Sequence, residues 1–399
     1  MHLRSASSQE RRTATIITLF GIPLSGFMTD IYLPSFPAMA QNLAVSEQSI
    51  QLTLTCFFLS YGFAQLFVGS LLDSIGRYKA MLVSLAVLCI SSLAIAFTTD
   101  IWMICFWRIV QGLATSFIIV AKRAYFVDLY EGEKRKYYLS YFTVIWSCGP
   151  IIAPFLGGYM ESLFNWQANF YFLAVYSGLL LIAEAFFSGE TIRQKKPFNV
   201  KKMTILYGVM LRNKAFMTGV MVLGLAYSVV MVFNIAGPFV VQEHFGYNEV
   251  VIGYCTLALG VAWMIGGFLS KHYTSVSFAK KNQSFSTAQL VFVVVFIGAG
   301  TLADNLLVLI SFAFFILILG GFLFTNYFTH NMIYFPNNAG IAGGLMGGLL
   351  YIITSFSSFV ISASGQIETA FDMSLRYLMI VLPLAGFVFY TAWLHQKKQ

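Results

Sequence analysis

The chain has 399 residues, of which 58% are hydrophobic and 10% charged, with a formal charge of +8. Soluble globular domains carry roughly a quarter charged residues, so this composition excludes one. The basic excess sits in short stretches beside long apolar runs instead of forming a basic stripe interleaved with aromatics, which argues against nucleic acid as a partner.

In chain order the apolar runs predict an all-α integral membrane protein with twelve transmembrane helices, at about 14–40, 47–72, 80–98, 101–127, 137–160, 166–188, 213–240, 247–270, 286–303, 306–328, 339–362 and 371–394. Each is near the roughly 20 residues needed to cross a bilayer. The first run is longer than a signal-peptide core and has no small-residue cleavage pattern before Asp30, so it reads as a retained span. Of the 24 Lys and Arg, all but Arg108 and Arg376 fall on the side of the N-terminus, and the opposite loops hold none. Basic residues mark cytoplasmic loops, so both termini are expected in the cytoplasm. The longest connection is basic and contains Pro197. It predicts an N-terminal six-helix bundle at 1–188, a cytoplasmic linker at 189–212 and a C-terminal six-helix bundle at 213–399. Two such bundles around a midplane site suit alternating access. Gly69-Ser-Leu-Leu-Asp73 and Gly266-Gly-Phe-Leu-Ser270, ending the second and eighth spans, give a weak internal echo.

Asp30 stands eleven residues from the outer end of the first span, about 16 Å deep at 1.5 Å per residue. A carboxylate there is costly unless protonated, paired or wetted, which makes it a candidate proton-binding group; the bland alternative is a cap on a broken helix end. Pro34 and Pro37 loosen the helix just beyond it. The turn Asp73-Ser-Ile-Gly76-Arg77 can hold two helix ends and latch to the opposite half, or be an ordinary charged loop. Arg108, at a similar depth to Asp30, can hold a substrate, pair with a carboxylate or satisfy backbone carbonyls. Lys122 and Arg123 read as snorkelling residues at the inner end of span four. Span five carries Gly149-Pro150-Ile-Ile-Ala153-Pro154-Phe-Leu-Gly157-Gly158, and span eleven Gly340, Gly344 and Gly348; small residues at this spacing allow close helix packing, and a hinge where prolines break the ladder. Asp372 and Arg376 read as an i,i+4 pair, Glu184 as one turn from the inner end of span six, and Glu243, His244, Asp304 and Glu368 as outer-loop groups.

Five scattered cysteines lack ligand spacing, so no metal or other cofactor is expected. GxxxxGK[ST], HExxH and GxSxG are absent, which argues against an ATP-driven pump or an enzyme.

Thr29-Asp30-Ile-Tyr-Leu-Pro34-Ser-Phe-Pro37 resembles the first-span signature of the bicyclomycin-resistance-type drug/proton antiporters of the major facilitator superfamily. Gly69-x3-Asp73-x2-Gly76-Arg77 resembles that superfamily's second-to-third loop, Arg108-Ile-Val-Gln111-Gly112 its fourth-span motif, and Gly149-Pro150 through Gly157-Gly158 the antiporter motif of span five. Ala236-Gly-Pro238-Phe-Val with His244-Phe-Gly246, and Pro336 with Ala339-Gly340 and Ala342, continue the likeness. Ser70, Ser74 and Tyr78 depart from the loop pattern, and Ile22 stands where some relatives carry a second acid. The resemblance implies proton coupling at Asp30, substrate or coupling work at Arg108, and gating by Gly69, Asp73, Gly76 and Arg77 and by Gly149, Pro150, Pro154, Gly157 and Gly158.

The expectation is a proton-coupled secondary transporter of the bacterial inner membrane that exports drug-like or amphipathic organic solutes. It would work as a monomer among membrane lipids. Tyr32, Phe36, Phe58, Tyr61, Phe233 and Phe324 are candidate cavity walls, or plain packing. Siderophore or metallophore transport, in either direction, is the alternative, with Arg108 on a carboxylate-rich ligand. An intramembrane enzyme is disfavoured by the missing motifs, and a non-transporting receptor or structural membrane protein would have little need for Asp30 and Arg108 at similar depth.

Overall fold

Apolar runs of this length satisfy their backbone groups internally as helices, the open-chain solution that a bilayer permits. The computed structural model describes residues 3–192, 194–195, 197–335 and 338–396. Pro336, Arg193, Lys196, Lys397 and Lys398 lie outside these residues. Its helices are α1 (Ser8–Gly21), α2 (Leu24–Asp30), α3 (Phe36–Leu43), α4 (Glu47–Ile75), α5 (Arg77–Phe97), α6 (Ile101–Leu129), α7 (Gly132–Leu163) and α8 (Trp166–Phe187). They continue as α9 (Val200–Arg212), α10 (Lys214–Phe239), α11 (Glu249–His272), α12 (Phe278–Leu302), α13 (Leu306–Asn331), α14 (Ala339–Ala363) and α15 (Ala370–Gln396).

Twelve helical stretches among the described residues are long and apolar enough to cross a membrane, in the predicted order, with α1–α3 forming the first. Ser46, Asp100, Asn165, Asn213, Asn248 and Asn305 start spans by accepting an N–H of the first turn on their side chains, which satisfies a donor no helix can satisfy itself. Span nine begins at Phe278, earlier than the hydropathy start at 286. Its polar first turns are absorbed locally: Lys281 Nζ donates to Tyr273 O (3.1 Å) and Asn282 Nδ2 to Phe278 O (2.8 Å).

The packing repeats after six spans. In the first bundle α4 lies against α6, α5 against α8, and α2 against α7. The corresponding spans of the second bundle pair likewise: α11 with α13, α12 with α15, and α10 with α14. Across the halves α4 packs on α14 and α7 on α11, a pair of contacts that exchange under the same shift. Outward-facing Phe97, Leu302 and Leu307 stay exposed, as a lipid-facing surface requires.

Candidate functional site

Proline breaks the first span. Pro23 has no N–H, and α1 stops at Gly21. Pro34 cannot donate to the carbonyl of Asp30, four residues back, so α2 stops at Asp30 and a 3-10 turn (Leu33–Ser35) leads into α3. Asp30 therefore ends a half-helix inside the membrane. It is 1% exposed. Thr29 Oγ1 donates to its Oδ2 at 2.7 Å, while Oδ1 is buried without a hydrogen-bond partner.

The carboxylate faces a cavity shared by both halves. Trp146 and Ser147 of α7 line it from one side, and Tyr227 and Asn234 of α10, Trp263 of α11 and Phe324 of α13 from the other. Trp263 and Phe324 stand 5.3 Å apart at their ring centroids, and Tyr227 and Phe324 6.3 Å. An aromatic wall facing an acid suits an amphipathic solute, above all one carrying a cation.

Of the aromatics singled out from sequence, Phe324 lines this cavity; the others pack elsewhere. Tyr32 and Phe36 are buried edge to face at 5.2 Å, with Phe36 near Phe239. Phe58 and Tyr61 pack on Tyr351 across the seam between α4 and α14, and Phe233 is buried within α10. Composition could not separate these roles. Asn234, a polar residue in an apolar span four positions before Pro238, was the overlooked signal for the second half's contribution.

Arg108 is fully buried, and it meets backbone instead of Asp30. Its Nη1 donates to Met28 O (2.7 Å) and to Gln111 Oε1 (2.8 Å), and Gln111 Nε2 donates on to Ser92 Oγ (3.0 Å). The guanidinium is stacked between Tyr32 (4.6 Å) and Phe57 (4.3 Å). Among the described residues no ion pair joins Arg108 to Asp30. Arg108 thus caps the broken helix that presents the acid.

Lys122 does not snorkel. It is 1% exposed and ion-paired with Glu184, itself 0% exposed, so α6 and α8 are joined by charge inside the bundle. The apolar surroundings leave neither group a route to water, which is why they find each other. Nor do Asp372 and Arg376 pair: Asp372 accepts from Thr369 N (3.0 Å) to cap α15, and Arg376 donates to Ser364 O (3.0 Å) and Gln366 O (3.2 Å). Helix-start N–H groups and loop carbonyls outcompeted the i,i+4 contact. At the same end His244 Nε2 lies 2.5 Å from Asp304 Oδ2, and Asp304 Oδ1 accepts from Ala370 N (2.9 Å) at the start of α15.

Among the described residues, the ion-pair partners of the loop between α4 and α5 belong to its own half. Arg77 pairs with Asp73 (2.9 Å) and with Asp128 of α6, and donates to Ala124 O (3.2 Å). Gly76 at φ +100° makes the turn, a conformation glycine adopts without strain. Gly69 has open space around it. In span five, Gly149 and Pro150 abut Gly26 of α2, and a Cβ on Gly157 would overlap the Ile31 carbonyl oxygen, so the break in span one is seated in a groove of small residues. Gly158 meets Glu249 O of α11, and Pro154 remains inside α7, which stays helical across both prolines.

Residues 18–358 match the profile of the Major Facilitator Superfamily. The chain belongs to this superfamily of membrane transporters. Relatives include multidrug resistance protein D of Escherichia coli, 26% identical over 373 residues that cover 89% of this transporter and 91% of the relative. The bicyclomycin resistance protein homolog of Haemophilus influenzae is 27% identical over 273 residues, covering 67% of this transporter and 68% of the relative. Among solved structures, a D-xylose–proton symporter superposes with a TM-score of 0.67 at 14% identity, covering 94% of this transporter and 97% of that chain, which establishes the shared fold.

Proposed function

We propose that this transporter exports drug-like, amphipathic organic solutes in exchange for protons. The observation that carries the reading is the position of Asp30: a buried carboxylate with one unpartnered oxygen, in the wall of an aromatic cavity that both halves share. A group so placed takes up a proton when the cavity is dry and gives it up when the cavity is wetted or holds a cation. Solute and proton then compete for one site while the halves rock. The relatives named for multidrug and bicyclomycin resistance support drug-like cargo.

We take 1–188 and 213–399 as the rocking halves, with 189–212 as the linker. The loop of Asp73 and Arg77 and the α2–α7 groove of Gly149, Pro150 and Gly157 keep the first half rigid during that motion, while Pro154 and Gly158 face α11 across the seam where the halves move. The basic side is taken as cytoplasmic, in a bacterial inner membrane, and the working unit as a monomer. For siderophore transport the cavity would need a cation in its wall, and Arg108 is not among the residues that line it. Proteoliposomes with an imposed pH gradient, offered a panel of cationic, neutral and ferric-chelate solutes, test the reading. Cationic or neutral aromatic solutes should accumulate against their gradient; accumulation of ferric chelates alone would reverse it.

A further inference from the structure

The proposed function leaves α9 without a role, although three of its features converge. First, it bridges the halves. Its Tyr207 hydroxyl donates to Leu66 O of α4, while the helix packs on α10 and α14 of the second half. A Cβ on Gly344 would stand 3.7 Å from that hydroxyl and 3.2 Å from Gln65 O, so Tyr207 closes the edge of the α4–α14 seam. Burial pushes Tyr207 up to about 12, so its hydroxyl remains a donor throughout the physiological range. Second, α9 carries no acid, and Lys201 and Arg212, with Lys214 just beyond, are exposed and form no ion pair among the described residues. Third, Ile205 (59% exposed) and Val209 (54%), one turn apart, leave an apolar flank beside these cations.

The helix cannot lie far from the bilayer. Asn213 directly follows α9, and its side chain caps the first turn of the membrane-spanning α10. Exposed apolar side chains flanked by cations and tied to a membrane surface match an interfacial helix that reads anionic headgroups. We infer that α9 is a lipid-responsive latch: the anionic inner-leaflet surface seats it through Lys201, Arg212 and Lys214, and seated α9 holds the α4–α14 seam closed through Tyr207. The inference uses the assignment of the basic side to the cytoplasm, but not the identity of the cargo.

Hydrogen exchange on the full chain in phosphatidylcholine vesicles, with and without phosphatidylglycerol, tests it and needs no substrate. Phosphatidylglycerol should slow exchange in 200–212 and at the adjoining ends of α4 (66–75) and α14 (340–348) by at least about fivefold, the scale expected of a single headgroup contact. Replacing Lys201→Gln, Arg212→Gln and Lys214→Gln together should erase the lipid effect everywhere. Tyr207→Phe, which keeps the ring, should leave α9 lipid-protected while the ends of α4 and α14 lose the effect. Equal exchange of α9 in both vesicles would overturn the lipid reading, as would equal slowing by inorganic phosphate over pure phosphatidylcholine. Retained lipid protection of α4 and α14 in Tyr207→Phe would overturn the latch.

Discussion

Four buried charged side chains, Asp30, Arg108, Lys122 and Glu184, share one bundle, and their partners assign them different work. Lys122 and Glu184 neutralise each other, so losing one strands the other. Lys122→Met or Glu184→Gln alone should destabilise the protein by about 3–5 kcal/mol, whereas the double variant should recover most of that loss. Thermal unfolding in micelles reads the cycle; additive single effects would contradict the pairing. Arg108 donates from one nitrogen to a carbonyl and an amide oxygen, and its flat guanidinium stacks between two rings, a planar stacking that lysine's ammonium cannot reproduce. Arg108→Lys should cost about 2 kcal/mol of stability, the scale of a charged hydrogen bond, and should leave solute affinity per folded molecule near wild type. A large loss of affinity in a stably folded variant would return Arg108 to the cargo site. The sequence exposed Asp30 and Arg108 because a charge inside an apolar run is conspicuous. It could not reveal that Arg108's partner is Met28 O, a backbone atom freed by the break beside it. Lys122 was misread for a related reason: its position near a helix end suits snorkelling, and only the packing of α8 supplies Glu184.

At the scale of elements, α5 shows how a helix start is completed from afar. Gly76 offers no side-chain cap, and Glu190, just beyond α8, accepts from Arg77 N (3.3 Å) and Tyr78 N (3.2 Å), and also from Thr191 N and Ile192 N. Burial opposes ionisation of Glu190, but these four N–H groups outweigh it and hold the carboxyl below the usual carboxylate range. A lowered folded value stabilises the fold above the unfolded value, and that stability is lost as pH falls through the folded one. Glu190→Gln should therefore cost about 1 kcal/mol near neutral pH, a typical cap energy on a half-exposed group. The gap from wild type should close as pH drops below the carboxylate range; a gap unchanged with pH would contradict the capping role. The spans themselves were legible from hydropathy, and Pro34 and Pro37 announced a loosened first span; the break at Pro23 was not read from the sequence. Glu190 was not legible, since it lies more than a hundred residues from the helix it caps. Separation along the chain likewise hid the enclosure of the Asp73–Arg77 turn by Asp128 of α6.

Across the whole molecule, the six-span shift in packing reduces the architecture to one bundle used twice, with α4–α14 and α7–α11 as equivalent seams. The two copies have diverged in chemistry: the first supplies the acid, and the second most of the aromatic wall. That divergence explains why the internal echo in sequence is faint while the repeated packing is plain. The proposed sidedness of the molecule rests on its basic loops. In a cysteine-free background, Lys195→Cys should resist an impermeant thiol reagent in intact cells and react after permeabilisation; labelling of intact cells would invert the topology. The central claim is that solute and proton meet at Asp30, and Asp30→Asn keeps the side chain's size while removing its titration. Substrate-dependent proton movement in proteoliposomes measures this directly. The account predicts that the folded Asn variant moves no protons with solute while still equilibrating solute down its gradient; proton movement at the wild-type ratio would contradict it.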